Sequence, residues 1–148
     1  TGITNTSTVG FMSMVDNATA TVQTSPTWAK ALGTTTAGIA NSKFTHTDNR
    51  LTYTGAFTTN FIVDVRANMF CANNGQVVSV GIAKNGVMVS TQEMTARYID
   101  GGNPVAASCL VPIQLTLDDY VEVFIRNATS NSNVTVQDMQ CLITKIPV

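Results

Sequence analysis

Few residues in this chain could carry out chemistry, and the first of them is its single histidine, His46. One histidine rules out a two-histidine metal site and the His-Glu-x-x-His motif of zinc proteases. A Ser-His-Asp arrangement is arithmetically possible, but the chain has no Gly-x-Ser-x-Gly turn to present a nucleophilic serine. Within Thr-His-Thr-Asp-Asn, His46 is predicted to be an exposed residue beside a turn.

The adjacent carboxylates Asp118 and Asp119 could form an acid–base pair or a calcium site. Calcium would need further oxygen ligands at regular spacing, and the sequence around the pair lacks them. Aspartate is also favoured where a turn leads into a strand, which is how we interpret this stretch. The pair Gly101-Gly102 precedes Asn-Pro and not a helix, so it is no phosphate-binding loop. We therefore predict no catalytic residue, no metal site, no cofactor and no enzyme.

The cysteines Cys71, Cys109 and Cys141 are odd in number and widely spaced. Zinc sites use close cysteine pairs, and the disulfide frameworks of secreted domains use even, denser sets. Each of the three lies within an apolar stretch. We therefore expect unpaired, buried thiols, which favours assembly in a reducing compartment.

Composition limits the classes of protein to consider. A chain of 148 residues predicts one domain with a single core, and its net charge is only −1. The 8 basic residues are scattered, whereas nucleic-acid binding needs a basic stripe. No apolar run is long enough to cross a membrane, and no signal-peptide pattern opens the chain. Nucleic acid and membrane insertion are therefore not expected.

Strand patterns separated by turn residues recur along the whole chain, and no stretch keeps a helical apolar period for a dozen residues. Many short strands punctuated by Gly, Asn and Asp predict an all-β antiparallel sandwich of the jelly-roll type. The predicted strands are Val9–Val15, Thr19–Thr24, Trp28–Leu32, Lys43–His46, Leu51–Thr54, Thr58–Ala67, Gln76–Lys84, Val87–Thr95, Ala106–Leu115, Tyr120–Asn127 and Val134–Lys145.

The tripeptide Lys84-Asn85-Gly86 lies between two runs of alternating apolar and polar residues. Asn-Gly readily adopts the two positive φ angles of a type I′ turn, so the pattern predicts a hairpin. The lysine could also mark a binding site, but the hairpin accounts for the tripeptide without one.

Two strand faces have the composition of a subunit contact. One face of Gln76–Lys84 carries only small side chains, and one face of Tyr120–Arg126 alternates aromatic and charged residues. Aromatic side chains on an outer face are typical of protein interfaces. For the Tyr120–Arg126 face, the alternative is that the N-terminal arm covers it within one subunit. The predicted trimer interface consists of Val77, Ser79, Gly81, Ala83, Tyr120, Glu122, Phe124 and Arg126.

From Phe44 to Ile146, the order of motifs resembles the globular-head jelly roll of the complement/tumour-necrosis-factor superfamily. The matching motifs are Tyr-x-Gly-x-Phe (Tyr53 to Phe57), Lys-Asn-Gly, Leu-Asp-Asp-Tyr-Val and a closing apolar strand. The chain departs from the family at Asp118, where Gly is usual. It departs again at Cys141-Leu142-Ile143, which replaces the usual Phe-x-Gly-x-Leu ending.

This resemblance implies a domain at residues 43–148 and, at 1–42, an arm with lead-in strands that packs on it. Family members are typically homotrimers whose loops bind partners and are rarely enzymes. The first forty residues look like the lead-in found in phage and other viral structural proteins. The implied function is a non-enzymatic homotrimer on the virion surface, as a head fibre, decoration or tail-fibre tip. Its partners would be itself, other virion proteins and a host-surface glycan or protein. The alternative is a secreted cellular signalling or carbohydrate-binding module.

Jelly rolls carry their longest loops at the ends of the sandwich, where binding residues concentrate. The stretch Arg97–Pro104 combines an aromatic, a cation and a carboxylate, a mixture common in recognition of sugars and protein surfaces. The alternative is that Tyr98 packs under its own loop. The predicted contact residues are Arg97, Tyr98, Asp100 and Asn103.

Overall fold

In the computed structural model, residues 7–89, 96–100 and 102–147 are described, with the backbone alone at 96–98. These residues form thirteen strands and no helix, and hence no helix long and apolar enough to cross a membrane. The strands are β1 (Val9–Met14), β2 (Ala20–Thr21), β3 (Ala29–Lys30), β4 (Thr36–Ala37), β5 (Phe44–Thr47), β6 (Arg50–Tyr53), β7 (Thr59–Phe70), β8 (Gln76–Lys84), β9 (Val87–Met88), β10 (Ala96–Ile99), β11 (Val105–Leu115), β12 (Tyr120–Asn127) and β13 (Val134–Lys145).

The strands form two antiparallel sheets that pack face to face. Sheet A has the spatial order β11-β7-β13-β1-β4, with β2 paired to β13. Sheet B has the order β10-β8-β12-β6-β5, with β3 paired to β12 and β9 to β8. The predicted all-β antiparallel sandwich is confirmed.

The core lies between the sheets and follows from the alternation of side chains along the long strands. On β7, Phe61, Val63 and Val65 are fully buried, and the residues between them face outwards. The rings of Phe44, Tyr53 and Phe61 meet pairwise with centroid distances of 5.2 to 5.4 Å, in tilted and edge-on geometry. Aromatic contacts of this kind stabilise a core beyond the area that they bury.

The stretch that precedes residue 43 contributes strands to both sheets. Strand β1 pairs with β13 at six consecutive positions, from Val9↔Thr144 to Met14↔Met139. Strand β3 pairs with β12, so the same stretch also extends sheet B. The N-terminal arm is thereby hydrogen-bonded to both layers of the sandwich.

The long strands follow the sequence pattern closely, whereas the short ones do not. Strands β4 and β10 were not predicted, and Thr19–Thr24 shortens to two paired residues. Such short strands depend on the partner that they pair with more than on their own residues. Most of the predicted strand Val87–Thr95 lies outside the described residues. The predicted hairpin is confirmed, since Asn85 and Gly86 have φ of 52° and 79° between paired Lys84 and Val87.

We predict that a thiol reagent labels no cysteine of the native protein. None of the three cysteines forms a disulfide bond, and all three are buried. Burial, with a contribution from the negative charge of Asp64, raises the pKa of the Cys141 thiol to about 12, and the thiolate is the reactive form. Titration with an aromatic disulfide reagent should release no thiolate dye in buffer and three equivalents in guanidinium chloride. Fast labelling in buffer would contradict the burial.

Candidate functional site

The predicted trimer interface lies on the outer face of sheet B, where the N-terminal arm covers half of it. Ser79, Gly81, Ala83 and Glu122 are buried within the single chain. A Cβ atom placed on Gly81 would lie 2.5 Å from the Met88 side chain and 3.0 Å from the Trp28 ring. Burial within one chain leaves these four residues little surface for a neighbouring subunit, contrary to the prediction, and at Gly81 the arm residue Trp28 and the β9 residue Met88 supply the cover.

The other four predicted interface residues, Val77, Tyr120, Phe124 and Arg126, are half-buried. Two of them, Tyr120 and Arg126, take part in cation–π contacts within their own chain. The Arg50 guanidinium lies 3.9 Å from the centre of the Tyr120 ring, and that of Arg126 lies 4.9 Å from the Trp28 ring. The aromatic and charged composition of this face is therefore used inside the subunit.

The carboxylate of Glu122 is the charged centre of this face. It is 3% exposed and its Oε2 lies 2.5 Å from Lys30 Nζ and 3.3 Å from Arg50 Nη2. Lys30 belongs to the arm and Arg50 to β6, so one carboxylate joins two segments to β12. A buried charge is tolerated only when it is paired in this way.

We predict that Glu122→Ala lowers the free energy of unfolding by on the order of 3 kcal/mol, because it leaves two cations facing each other without their counter-ion. Chemical denaturation monitored by Trp28 fluorescence measures the change. Asp64→Ala serves as the matched control. The Asp64 carboxylate lies on sheet A and, among the described residues, forms an ion pair with Arg66 alone, at 3.6 Å. Equal, small effects of the two substitutions would contradict the role of Glu122.

The outer face of sheet A, in contrast, exposes apolar side chains. Leu110, Ile62 and Leu142 are 52%, 37% and 37% exposed, and the register places Leu110 and Leu142 on either side of Asp64. Phe11 pairs with Leu142 and is half-buried. We call these four apolar residues the open face. Four neighbouring strands with apolar residues directed outwards are typical of a surface that another molecule covers.

Beside the open face, the same surface of sheet A becomes polar. A shallow groove of about 410 Å³ is lined by five polar residues, Arg66, Asn68, Ser108, Asp138 and Gln140, together with Ala67, Ala106, Ala107 and Met139. Arg66 Nη2 also lies 3.6 Å from Asp64 Oδ2. The exposed side of sheet A therefore has an apolar half and a polar half.

A signal for the open face was present in the sequence. Phe61-Ile62-Val63 and Cys141-Leu142-Ile143 are unbroken apolar runs, which indicate strands with both faces covered. The interface predicted from the sequence did not include the outward-facing residues of these two strands.

The predicted contact loop is shorter than the sequence pattern suggests. Arg97 and Tyr98 lie in β10, paired with Val78 and Val77 of β8, and not at a loop tip. Asp100 and Asn103 are exposed and belong to the turn itself, in which Asn103 donates from its backbone and side-chain nitrogens to the Asp100 carbonyl oxygen. The structure therefore separates the four predicted residues into a strand pair and a turn pair.

The two adjacent aspartates have different roles. Asp118 is exposed and adopts a positive φ of 71°, as the turn interpretation requires. Asp119 Oδ1 accepts from Asn85 Nδ2 at 2.7 Å, and its Oδ2 lies 2.8 Å from Thr116 N and 3.0 Å from Lys84 Nζ. This carboxylate is saturated by structural hydrogen bonds that fasten the hairpin tip to the β11–β12 turn.

We predict that Asp119 stabilises the protein most above its ordinary pKa. Partial burial tends to raise the pKa of Asp119, but hydrogen bonds from Thr116, Asn85 and Lys84 outweigh burial and hold it well below 3.8. A group with a lowered folded-state pKa contributes stability above its unfolded pKa, and this stability is lost as the pH falls through the folded one. The stability difference between wild type and Asp119→Asn should therefore be full at pH 7 and shrink below about pH 4.

The neighbouring variant Asp118→Asn is the control, since asparagine tolerates the same backbone conformation. It should leave the free energy of unfolding nearly unchanged across the same pH range. A stability difference for Asp119→Asn that does not depend on pH would contradict the assignment.

The single histidine does not have the surroundings of a catalytic base. His46 is half-buried, not exposed as predicted, because the arm residue Thr35 packs against it with Oγ1 2.6 Å from Nε2. Thr35 Oγ1 donates its only proton to Asn49 Oδ1, so the imidazole cannot accept that proton. Within the described parts of the chain, no three His, Cys, Asp or Glu residues come close enough to hold a metal ion.

Comparison with solved structures identifies proteins with the same architecture. Over 99% of this chain and 100% of the other, it is similar to vertex protein P5 of phage PRD1, with a TM-score of 0.60 and 7% identity. It is also similar to Eiger TNF of S. frugiperda (TM-score 0.58, 10% identity, 97% and 96% covered) and to murine APRIL (0.57, 9%, 92% and 98%). No family model and no curated protein matches the sequence. The chain has a TNF-like jelly-roll fold.

Proposed function

We propose that this chain is a non-enzymatic structural protein of a virus, of the phage type, that self-associates as a homotrimer on the virion surface. The observation that carries the proposal is the open face. Leu110, Ile62 and Leu142 expose apolar surface from three adjacent strands of one rigid sheet. Covering such a surface with another copy of the chain removes it from water.

The viral part of the proposal rests on the likeness to the vertex protein P5, which spans both chains almost completely. The expected role is display of loops for attachment to a host-surface glycan or protein, as a head fibre, decoration or tail-fibre tip. Of the contact residues predicted from sequence, Asp100 and Asn103 are exposed on such a loop. Arg97 and Tyr98 stay predicted contacts of the adjoining strand.

The non-enzymatic part is supported by how the candidate groups are used. The Asp119 carboxylate is held by structural hydrogen bonds, and the His46 Nε2 atom is a donor to Thr35. Neither arrangement provides an activated nucleophile beside a general base.

A secreted cellular module is the second candidate. The likeness to Eiger TNF and to murine APRIL has TM-scores close to that of the phage protein, and at about one tenth identity each likeness supports the fold alone. Fractionation of a culture that expresses the natural gene separates the two. The chain should band with intact particles in a density gradient, whereas free chain in particle-depleted medium would favour the secreted module.

We predict that Leu110→Asp dissociates the oligomer. A stable interface buries on the order of a thousand Å² or more, and a carboxylate at its centre would be buried without a partner. Light scattering behind a sizing column should give three times the chain mass of 15.7 kDa for the wild type and the single-chain mass for the variant.

Leu117→Asp provides the matched control. Leu117 is 56% exposed against 52% for Leu110, but it lies on the β11–β12 turn. This variant should remain trimeric. A monomeric wild type, or equal dissociation by both substitutions, would contradict assembly through the open face.

A further inference from the structure

A depression of about 400 Å³ opens at the edge of sheet B, where the loop that follows β3 meets the β5–β6 turn. Its wall contains Lys30, Leu32 and Thr34 from the arm and His46, Asp48 and Asn49 from the hairpin. A volume of this size is within the range of small-molecule sites, roughly 300–1,000 Å³. None of the residues in this wall was predicted from the sequence to bind a ligand.

A chain of hydrogen bonds fixes the proton on the His46 ring. Asn49 Nδ2 donates to the Gly33 carbonyl oxygen at 2.6 Å, so Oδ1 is the acceptor of that amide. Thr35 Oγ1 donates its one proton to Asn49 Oδ1 at 2.8 Å, and can therefore only accept from His46 Nε2 at 2.6 Å. The neutral imidazole thus carries its hydrogen on Nε2. Its Nδ1 is an acceptor that has no partner in the part of the chain that the structure describes.

Two charged groups border the same depression. Lys30 Nζ has three protons, of which two are directed to Glu122 Oε2 and to the Asp48 carbonyl oxygen, both at 2.5 Å. One N–H donor is left over. The Asp48 side chain is exposed, and its carboxylate makes no ion pair with the described residues. The residues that line the depression therefore include an N–H donor on Lys30, a carboxylate acceptor on Asp48, a nitrogen acceptor on His46 and the hydroxyl of exposed Thr34.

This combination discriminates between classes of ligand. An anion would meet the Asp48 carboxylate, while the charge of Lys30 is already offset by Glu122. A metal cation would meet the Lys30 ammonium and find only two side-chain ligands. A polyhydroxyl molecule can donate to Asp48 and His46 Nδ1 and accept from Lys30. Leu32, which is 42% exposed, adds an apolar wall for a carbon–hydrogen face.

We propose that this depression binds a neutral saccharide through Lys30, His46 and Asp48. Saccharide binding here would serve attachment of the virion to a host surface, and this biological role rests on the proposed function. Its binding chemistry does not depend on the open face, which belongs to the other sheet.

The single histidine makes a direct test possible. With ¹⁵N-labelled imidazole, the free protein should show one ring in the Nε2–H tautomer. Glucose, galactose, mannose and N-acetylglucosamine are then titrated separately. At least one of them should shift the Nδ1 resonance saturably, whereas inorganic phosphate and N-acetylneuraminate should not.

Asp48→Asn should weaken this binding about ten-fold, since the amide oxygen of asparagine is an uncharged and weaker acceptor than the carboxylate. Asparagine tolerates the positive φ of 51° at position 48. The matched control is Asp118→Asn at φ 71°, which lies outside the depression and should bind like the wild type.

An Nδ1–H tautomer, the lack of a saturable shift with all four sugars, or unchanged affinity in Asp48→Asn would overturn the proposal. A response to phosphate or N-acetylneuraminate in place of the neutral sugars would also overturn it, in favour of an anion site. The titration is repeated on Leu110→Asp. Saccharide binding by that variant supports the depression whether or not the wild type assembles, so failure of one proposal is distinguishable from failure of the other.

Discussion

A sandwich of two sheets covers only the two faces that pack together, and each outer face must be polar or be covered by something else. Here the outer face of sheet B carries Phe124 and Tyr120, and the N-terminal arm covers part of it, with the Trp28 ring over Gly81. The arm is held by the buried carboxylate of Glu122, which Lys30 and Arg50 approach from two different segments. This clasp adds to the β3–β12 pairing and to the hydrogen bonds from Ala31 N to the Val123 carbonyl oxygen and from Asn127 N to Gln23 Oε1. The depression beside His46 is lined by Lys30 of the same clasp.

Sheet A shows the opposite solution to the same constraint. Its outer face has no equivalent cover among the described residues, and it exposes leucine and isoleucine on three adjacent strands. After β1 and β2 in sheet A the arm crosses to sheet B, where it forms β3, and it then returns to the edge of sheet A as β4. The two sides of the molecule therefore differ: sheet A has an open apolar face, and sheet B has a face that the chain itself covers. Assembly is expected on the first and ligand contact around the second.

Two carboxylates, those of Glu122 and Asp119, link segments that are distant in sequence. Glu122 joins the arm and β6 to β12, and Asp119 joins the hairpin tip to the turn before β12. A carboxylate is suited to this position because it accepts several hydrogen bonds at once, which offsets the cost of removing it from water. Asp48 is an exposed carboxylate that, like those of Asp16, Asp100 and Asp118, makes no ion pair among the described residues.

The residues by themselves determined which stretches become long strands, and where the Asn85-Gly86 turn falls, because side-chain alternation and positive φ are local properties. They determined equally that Cys71, Cys109 and Cys141 are buried, since Cys109 and Cys141 lie on inward positions of apolar strands and Cys71 directly follows one. Only the tertiary structure decided which outer face stays open. Alternation assigns a residue to one of two faces, but whether that face meets water, the arm or another molecule depends on contacts such as Lys30–Glu122, made across about ninety residues of chain. The depression at His46 also depends on tertiary structure. Thr35 and Asn49 fix the tautomer of the His46 ring only after the arm has packed against the β5–β6 turn, and no local sequence pattern encodes this packing.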